Sequence, residues 1–200
     1  MIVIIDYGMG NLASVQKAFK SLQKDVIISS DKKEIQEASL IVLPGVGSFQ
    51  QGMKNLKERG LIELLNSEVI HHKKPFLGIC LGMQLIMEKG TEPIECDGLG
   101  WIKGKVEAIQ NKHLPVPHLG WNKTYQPTKR NQKDTLENNF YFIHSFHVLP
   151  EEEVKCTYVD YEFTMVASME KENIFATQFH PEKSQNAGLS LLKKYIESHA

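Results

Sequence analysis

The most informative segment of the chain is Lys74-Pro75-Phe76-Leu77-Gly78-Ile79-Cys80-Leu81-Gly82-Met83-Gln84-Leu85-Ile86-Met87. Residues 76–79 form a short apolar run after a proline, a pattern typical of a fully buried strand. The following apolar residues have the spacing of one helix face, at Leu81, Leu85, Ile86 and Met87. The stretch therefore predicts a buried strand that passes directly into a helix.

One cysteine, Cys80, lies at this junction, with a glycine two residues away on either side. Gly-x-Cys-x-Gly matches the strand-to-helix elbow that presents a nucleophile, with cysteine in place of serine. The glycines permit a sharp turn where a Cβ would collide with neighbouring backbone, and the helix N-terminus favours a thiolate. The alternative is a buried structural cysteine, the commoner environment of a free cysteine. The position between a buried strand and a helix favours the nucleophile.

The rest of the chain has two different patterns of predicted secondary structure, one in each half. The first half alternates strands and helices, which indicates a parallel sheet covered on both faces; strands are predicted at residues 2–5, 26–29, 40–43 and 76–79, and helices at 11–22 and 53–71. From Gly98 onward the strands are shorter and Pro and Gly interrupt them. They are predicted at residues 105–110, 121–126, 140–149 and 155–161, then as a hairpin of 165–169 with 174–179, before a helix at 187–197. The expected fold is one α/β domain over residues 1–200, with a mostly parallel central sheet and an added antiparallel portion.

Composition excludes several classes of function. With 200 residues and 42% hydrophobic content, the chain suits one globular domain. A net charge of -1 gives no field that would attract nucleic acid or an acidic membrane. We find no apolar run near membrane-spanning length and no signal peptide. The three cysteines, Cys80, Cys96 and Cys156, are an odd number without metal-ligand spacing, so a cytoplasmic protein without a metal site is expected.

A cysteine nucleophile needs a base and a group that orients the base. His180 and Glu182 are two residues apart at the end of a predicted strand, so their side chains leave the same side of the backbone. Pro181 restrains the backbone between them. None of the other histidines has such a rigidly spaced carboxylate, and the spacing of His144 and His147 puts them on opposite faces of a strand, which argues against a shared metal. Cys80, His180 and Glu182 are therefore the predicted catalytic triad.

Two glycine-rich turns carry competing hypotheses. Residues 6–13, Asp-Tyr-Gly-Met-Gly-Asn-Leu-Ala, satisfy the Gly-x-Gly-x-x-Ala dinucleotide fingerprint, and Asp31 follows the next strand. That pattern is weak because any tight strand-to-helix turn needs glycines. Residues 43–52, Leu-Pro-Gly-Val-Gly-Ser-Phe-Gln-Gln-Gly, lack the ending of a phosphate-binding P-loop. They can instead supply an N–H donor to an oxyanion, together with the N–H of Leu81. An ordinary tight turn is the alternative.

With these residues identified, the chain resembles the class I glutamine amidotransferases. Gly78–Gln84 and His180-Pro181-Glu182 carry the resemblance for the class as a whole. Further motifs, which extend the resemblance over residues 6–184, are Asp6-Tyr7-Gly8-Met9-Gly10-Asn11, Leu43-Pro44-Gly45-Val46-Gly47-Ser48-Phe49, Pro117-His118-Leu119-Gly120-Trp121-Asn122, Tyr141-Phe142-Ile143-His144-Ser145 and His180-Pro181-Glu182-Lys183-Ser184. The resemblance implies a flavodoxin-like sheet, L-glutamine as substrate and no cofactor.

The resemblance also assigns residues. Cys80 would attack the side-chain amide of glutamine to give a glutamyl thioester and ammonia, and His180 would carry the protons. The backbone N–H groups of Val46 or Gly47 and of Leu81 would form the oxyanion hole. Glutamine recognition would fall to Gly47, Gln84, Ser145 and Phe146.

The predicted motifs fill the chain, so the ammonia is expected to reach another protein. The resemblance implies the (β/α)8-barrel cyclase subunit of imidazole glycerol phosphate synthase, with Asn11, Trp121 and Lys183 at the interface. Two alternatives stay open on the sequence. A related amidotransferase can supply ammonia for a cell-surface aminosugar, and the same triad suits a free-standing cysteine hydrolase of γ-glutamyl substrates.

Overall fold

The apolar runs of the first half form the parallel part of a nine-stranded sheet in the computed structural model. The structure describes residues 1–110, 112–127 and 133–199, and the side chains of all of these except 133–137. The strand order of the large sheet is β2-β1-β3-β4-β13-β12-β11-β8-β9. Its members are β1 (Ile2–Ile5), β2 (Val26–Ser29), β3 (Leu40–Gly45), β4 (Phe76–Cys80), β8 (His118–Pro127), β9 (Lys133–His144), β11 (Lys155–Tyr161), β12 (Phe163–Lys171) and β13 (Ile174–Thr177). The strands from β2 to β13 in this order are parallel, and the remaining four extend the sheet in antiparallel pairing.

Helices cover both faces of the parallel part. They are α1 (Leu12–Ser21), α2 (Lys32–Glu37), α3 (Phe49–Glu58), α4 (Ile62–Leu65), α5 (Leu81–Leu85) and α6 (Gln185–His199). Alternate residues of one strand enter different clusters: Ile2 and Ile4 pack with α1 and α6, whereas Val3 and Ile5 pack with α2 and α3. This alternation follows from the period of two along a strand, and burial on both faces explains why the runs are apolar throughout.

A smaller four-stranded sheet packs beside the elbow, in the order β10-β7-β5-β6. Its strands are β5 (Met87–Gly90), β6 (Cys96–Asp97), β7 (Ile102–Ala108) and β10 (Phe146–Pro150). The predicted elbow helix is therefore too long, because it ends at Leu85 and Met87 begins β5. Pairing of β5 with β7 outweighs the helical spacing of these apolar residues.

Two other predicted elements are also wrong in their extent. The single strand predicted at residues 140–149 breaks at Ser145, where the chain leaves the large sheet and enters the small one. The helix predicted at 53–71 begins earlier, at Phe49 after the Ser48 cap. It ends before Gly60, whose φ of +62° is the left-handed conformation that often follows the last turn of a helix. It resumes as α4 and continues as a π-helical segment, Asn66–His71.

The carboxyl ends of β1, β3, β4 and β13 lie side by side at one edge of the sheet, since these strands are adjacent or nearly so and parallel. Ligand sites of open α/β sheets occur at this edge. Among the described residues, no helix is long and apolar enough to cross a membrane.

Candidate active site

Cys80 is the last residue of β4 and immediately precedes α5. Its backbone has φ +53° and ψ −107°, a combination that is strained for a residue with a Cβ. The two flanking glycines make this turn possible. A Cβ on Gly78 would lie 2.9 Å from the carbonyl oxygen of Gly82, and a Cβ on Gly82 would collide with the carbonyl group of Leu43. The sequence thus forms the predicted elbow, and the cysteine side chain is buried within it.

His180 and Glu182 form a hydrogen-bonded pair beyond the end of β13. His180 Nδ1 is 2.7 Å from Glu182 Oε1, and both side chains are 3% exposed. Ser184 fixes this segment, because its hydroxyl donates to the His180 carbonyl at 2.6 Å and accepts from the Tyr141 N–H at 3.0 Å. Pro181–Lys183 form a short 3₁₀ helix, and Pro181 starts it. The second ring nitrogen, Nε2, is buried and has no hydrogen-bond partner among the described residues.

The charges around His180 favour an imidazolium. Burial by itself favours the neutral ring, but the Cys80 thiol and the Glu182 carboxylate outweigh it and raise the pKa of His180 from 6.5 to about 9. Glu182 must accept from Nδ1, so Nε2 is the nitrogen that can exchange a proton with the thiol. Catalytic hydrogen bonds are often open without substrate and close when it binds.

The turn after β3 lies beside the cysteine. Gly45 is paired with Cys80 in the sheet register, so Val46 and Gly47 follow directly next to the start of α5 at Leu81. Gly47 has φ +109°, which a side chain would disfavour, and Val46 is 44% exposed. The fold therefore brings the three residues predicted for the oxyanion hole to one edge of the sheet.

Gln84 is buried one helical turn beyond Cys80. Its amide nitrogen donates to the Phe146 carbonyl at 3.1 Å and to Gln178 Oε1 at 3.0 Å. Gln178, in turn, directs its amide nitrogen at Cys80 Sγ, 3.6 Å away. Gln178 belongs to none of the predicted catalytic or binding residues, although its spacing of two from His180 places it on the same side of the chain. The buried amide next to the thiol is therefore a site residue that sequence reasoning missed.

Ser145 and Phe146 lie where the chain crosses from β9 to β10. The Ser145 carbonyl accepts from the Ile109 N–H at 2.8 Å, which anchors the crossing to β7. The neighbouring Ile143 carbonyl is 3.9 Å from Cys80 Sγ. The crossing thus forms the wall of the site that faces the thiol.

The residues predicted for a partner interface lie around this edge. Lys183 Nζ is 5.7 Å from the centre of the Tyr141 ring, and Trp121 contacts that ring edge-on at a centroid distance of 5.8 Å. Asn11 is the exposed N-cap of α1, where its side chain accepts from the Ser14 N–H at 3.2 Å. Gly10, beside it, packs against Gly45. All three predicted interface residues therefore lie at the edge of the sheet that carries the site.

Several exposed apolar side chains lie at this edge of the sheet. Leu119 is 57% exposed, Trp121 46% and Ile143 38%. Leu119 and Ile143 are register partners on β8 and β9, and Trp121 is two residues from Leu119 on the same face. We call Val46, Leu119, Trp121 and Ile143 the apolar rim.

The turn at residues 6–13 is filled by protein side chains. Arg59 Nη1 donates to the Asp6 carbonyl at 3.1 Å, and Asn55 Nδ2 donates to the Tyr7 carbonyl at 2.9 Å. Both side chains crowd Gly8, where the fingerprint needs open space for pyrophosphate. Asp31 is the N-cap of α2 and accepts from two backbone N–H groups. The geometry disfavours the dinucleotide hypothesis.

The described side chains include no group of three or more His, Cys, Asp or Glu residues arranged to hold a metal ion. His144 and His147 lie on strands of different sheets. The chemistry available at this edge is that of a thiol, an imidazole–carboxylate pair and backbone donors.

Comparison with known proteins agrees with this geometry. The family model for "Glutamine amidotransferase class-I" matches residues 3–197. Imidazole glycerol phosphate synthase subunit HisH 1 of Campylobacter jejuni (strain RM1221) is 48% identical over 199 residues, which cover 98% of this chain and 99% of that protein. Subunit HisH of Aquifex aeolicus (strain VF5) is 46% identical over 197 residues, with 96% and 94% covered. A crystal structure of a glutamine amidotransferase superposes with a TM-score of 0.76 over 98% of both chains at 16% identity, a likeness of fold.

Proposed function

Since the chain belongs to the class I glutamine amidotransferase family, we propose that it hydrolyses L-glutamine to glutamate and ammonia and passes the ammonia to a synthase partner. The observation that carries this proposal is the Cys80 elbow facing the buried His180–Glu182 pair. The relatives at 40–48% identity are named as subunits of imidazole glycerol phosphate synthase, which favours that product over an aminosugar precursor and over a free-standing hydrolase.

The proposed reaction begins from a Cys80 thiolate and a His180 imidazolium, the pair that exists once the thiol proton has passed to Nε2. The thiolate attacks the side-chain amide carbon of glutamine and forms a tetrahedral intermediate. Its oxyanion accepts from the Leu81 N–H and from Val46 or Gly47, a contribution worth roughly 2.7–4 kcal/mol for each donor. His180 then protonates the leaving ammonia, which produces the glutamyl thioester. In the second half His180 activates water, and hydrolysis releases glutamate and restores the thiol.

Each partner of the thiol has a separate task in this scheme. Glu182 accepts from Nδ1, so it fixes the tautomer that leaves Nε2 toward the thiol, and its charge stabilises the imidazolium. Gln84 donates both amide hydrogens, one to the Phe146 carbonyl and one to Gln178. Its amide oxygen is therefore the atom that can accept from the substrate ammonium. Gly47 and Ser145 supply backbone on the opposite walls.

The apolar rim supports a docked partner. Exposed apolar side chains grouped beside a polar active site are typical of an interaction surface. A partner seated there would exclude water and lead ammonia away before it protonates in solution. The names of the relatives indicate a synthase, and the (β/α)8-barrel cyclase subunit is the partner we propose, with Asn11, Trp121 and Lys183 in contact with it.

The proposal is tested with glutamate release from glutamine, measured in the presence of the barrel cyclase and its ligand. Cys80→Ala should abolish release while leaving the fold and partner binding intact. Cys96→Ala and Cys156→Ala are matched controls, since these cysteines are half-buried away from the elbow and should retain nearly full activity. Wild-type activity in Cys80→Ala would overturn the mechanism.

A further inference from the structure

Two buried histidines behind the active site form a hydrogen-bonded pair that the proposed reaction does not use. His118 Nδ1 is 3.0 Å from His144 Nε2, and the side chains are fully or nearly fully buried. His144 Nδ1 is 2.8 Å from the Phe146 carbonyl, and His118 Nε2 is 2.9 Å from Asn122 Oδ1. The His118 ring is stacked on Phe142 and on Tyr161, with centroid distances of 4.8 and 4.1 Å.

The direction of this chain of hydrogen bonds is fixed by its inner end. The Phe146 carbonyl can only accept, so His144 carries its proton on Nδ1 and accepts through Nε2. His118 therefore donates from Nδ1 and has only a lone pair on Nε2, so the Asn122 side-chain amide must be rotated by 180° to present its nitrogen, instead of Oδ1, to that atom. Burial lowers the pKa of His144 to about 3 and the pKa of His118 below its usual value, so both rings stay neutral at ordinary pH.

The inner end of the pair meets the substrate-facing amides at one atom. The Phe146 carbonyl oxygen accepts from His144 and also from Gln84 Nε2, which uses both of its lone pairs. From Gln84 the connection continues through Gln178 to Cys80 Sγ. A series of hydrogen bonds thus joins Asn122, next to the apolar rim, to the nucleophile.

We infer that His118 and His144 are positioning residues that hold the Phe146 carbonyl where it orients Gln84 for the glutamine substrate. This inference rests on the proposed function. It separates two properties of the site: the histidine pair sets the binding of glutamine, whereas the reactivity of the thiol depends on His180 and Glu182. If the histidine pair were only structural, its loss would lower stability and would not weaken glutamine binding more than thiol reactivity.

The experiment compares two reagents that alkylate Cys80. A chloroketone analogue of glutamine must occupy the substrate site first, whereas iodoacetamide needs only the thiol. In His118→Phe, the ring can keep its stacking but cannot donate to His144. We expect the rate constant with the chloroketone to fall roughly tenfold or more, since an unpaired buried acceptor is costly, and the rate with iodoacetamide to change by less than about twofold. His147→Phe is the matched control, because His147 is also buried but is not a member of this series of hydrogen bonds. It should leave both rates unchanged.

Asn122→Ala provides a second variant at the half-buried outer end, with exposed Asn139→Ala on β9 as its control. If His118→Phe slows both reagents equally, Asn122→Ala decides: a selective loss with the chloroketone supports the inference, and an unchanged ratio overturns it. If His118→Phe reacts with both reagents at the wild-type rates, the inference is also overturned, while the proposed function stands. If glutamine fails to protect wild-type Cys80 from the chloroketone, the proposed function falls and the inference with it.

Discussion

At the scale of single residues, the strained backbone of Cys80 should be visible in stability. At an ordinary position in a helix or strand, a protein with glycine has a free energy of unfolding roughly 0.5–1 kcal/mol lower than the same protein with alanine. At φ +53° and ψ −107° the order should reverse, because alanine keeps a strain of about 1–3 kcal/mol that glycine lacks. We expect Cys80→Gly to have a higher free energy of unfolding in urea than Cys80→Ala.

Ala13→Gly, on the exposed face of α1, is the control for the ordinary order and should destabilise the protein. If Cys80→Gly is the less stable of the two Cys80 variants, the turn stores no strain.

The His180–Glu182 pair should give stability a specific pH dependence. The pKa of His180 is raised from 6.5 in the unfolded chain to about 9 in the folded protein. The imidazolium–carboxylate contact therefore contributes fully below pH 6.5 and is lost as pH rises through 9. The destabilisation by Glu182→Gln should be larger near pH 6 than near pH 9.5, by roughly 1–3 kcal/mol for a buried charged hydrogen bond.

Urea unfolding at the two pH values measures this difference. Glu172→Gln is the control, since Glu172 pairs with Lys73 on the exposed surface and such pairs contribute little. Equal destabilisation by Glu182→Gln at both pH values would contradict an imidazolium at His180.

At the scale of elements, the elbow depends on how closely β3 approaches α5. Gly82→Ala would drive a Cβ into the Leu43 carbonyl group, which belongs to a buried central strand and cannot move freely. Gly52→Ala, in α3, would place its Cβ 3.1 Å from a methyl group of Leu85, a side chain that can adjust. We expect a loss of roughly 1–3 kcal/mol or more for Gly82→Ala.

For Gly52→Ala the change should be small, because alanine also gains roughly 1 kcal/mol of helix propensity. Thermal unfolding of both variants checks the comparison. Similar melting temperatures for the two would show that the β3–α5 approach does not limit the elbow.

At the scale of the whole molecule, the apolar rim relates catalysis to the partner. We expect weak glutamine hydrolysis by the chain alone and strong stimulation by a barrel cyclase with its ligand bound. Trp121→Ala should reduce the stimulated rate more than the basal rate, since Trp121 is exposed on the rim. Steady-state hydrolysis with and without the cyclase and its ligand measures both.

Lys20→Ala, exposed in the last turn of α1 at the end of that helix opposite Asn11, is the control and should leave the stimulation unchanged. Full activity of the isolated chain, unaffected by any partner, would instead favour a free-standing hydrolase.

The features that were predictable from the sequence have local causes. The elbow at Cys80 follows from two glycines and an apolar run, and the proximity of His180 to Glu182 follows from their spacing and Pro181. The parallel sheet follows from runs that are apolar on both faces. The whole-chain resemblance also led to the family, which the comparisons confirm.

Features that depend on contacts between residues distant in sequence were visible only in the folded protein. Strand pairing turned Met87–Gly90 into β5 against its helical spacing, and the passage between two sheets broke the chain at Ser145. The crossing brought the Phe146 carbonyl to Gln84, the pairing of β4 with β13 brought Gln84 to Gln178, and the pairing of β8 with β9 brought His144 to His118. The two side-chain pairs are 94 and 26 residues apart in sequence. Single-sequence patterns carry the periods of helices and strands, whereas these hydrogen bonds exist because the folded sheet order places the residues together.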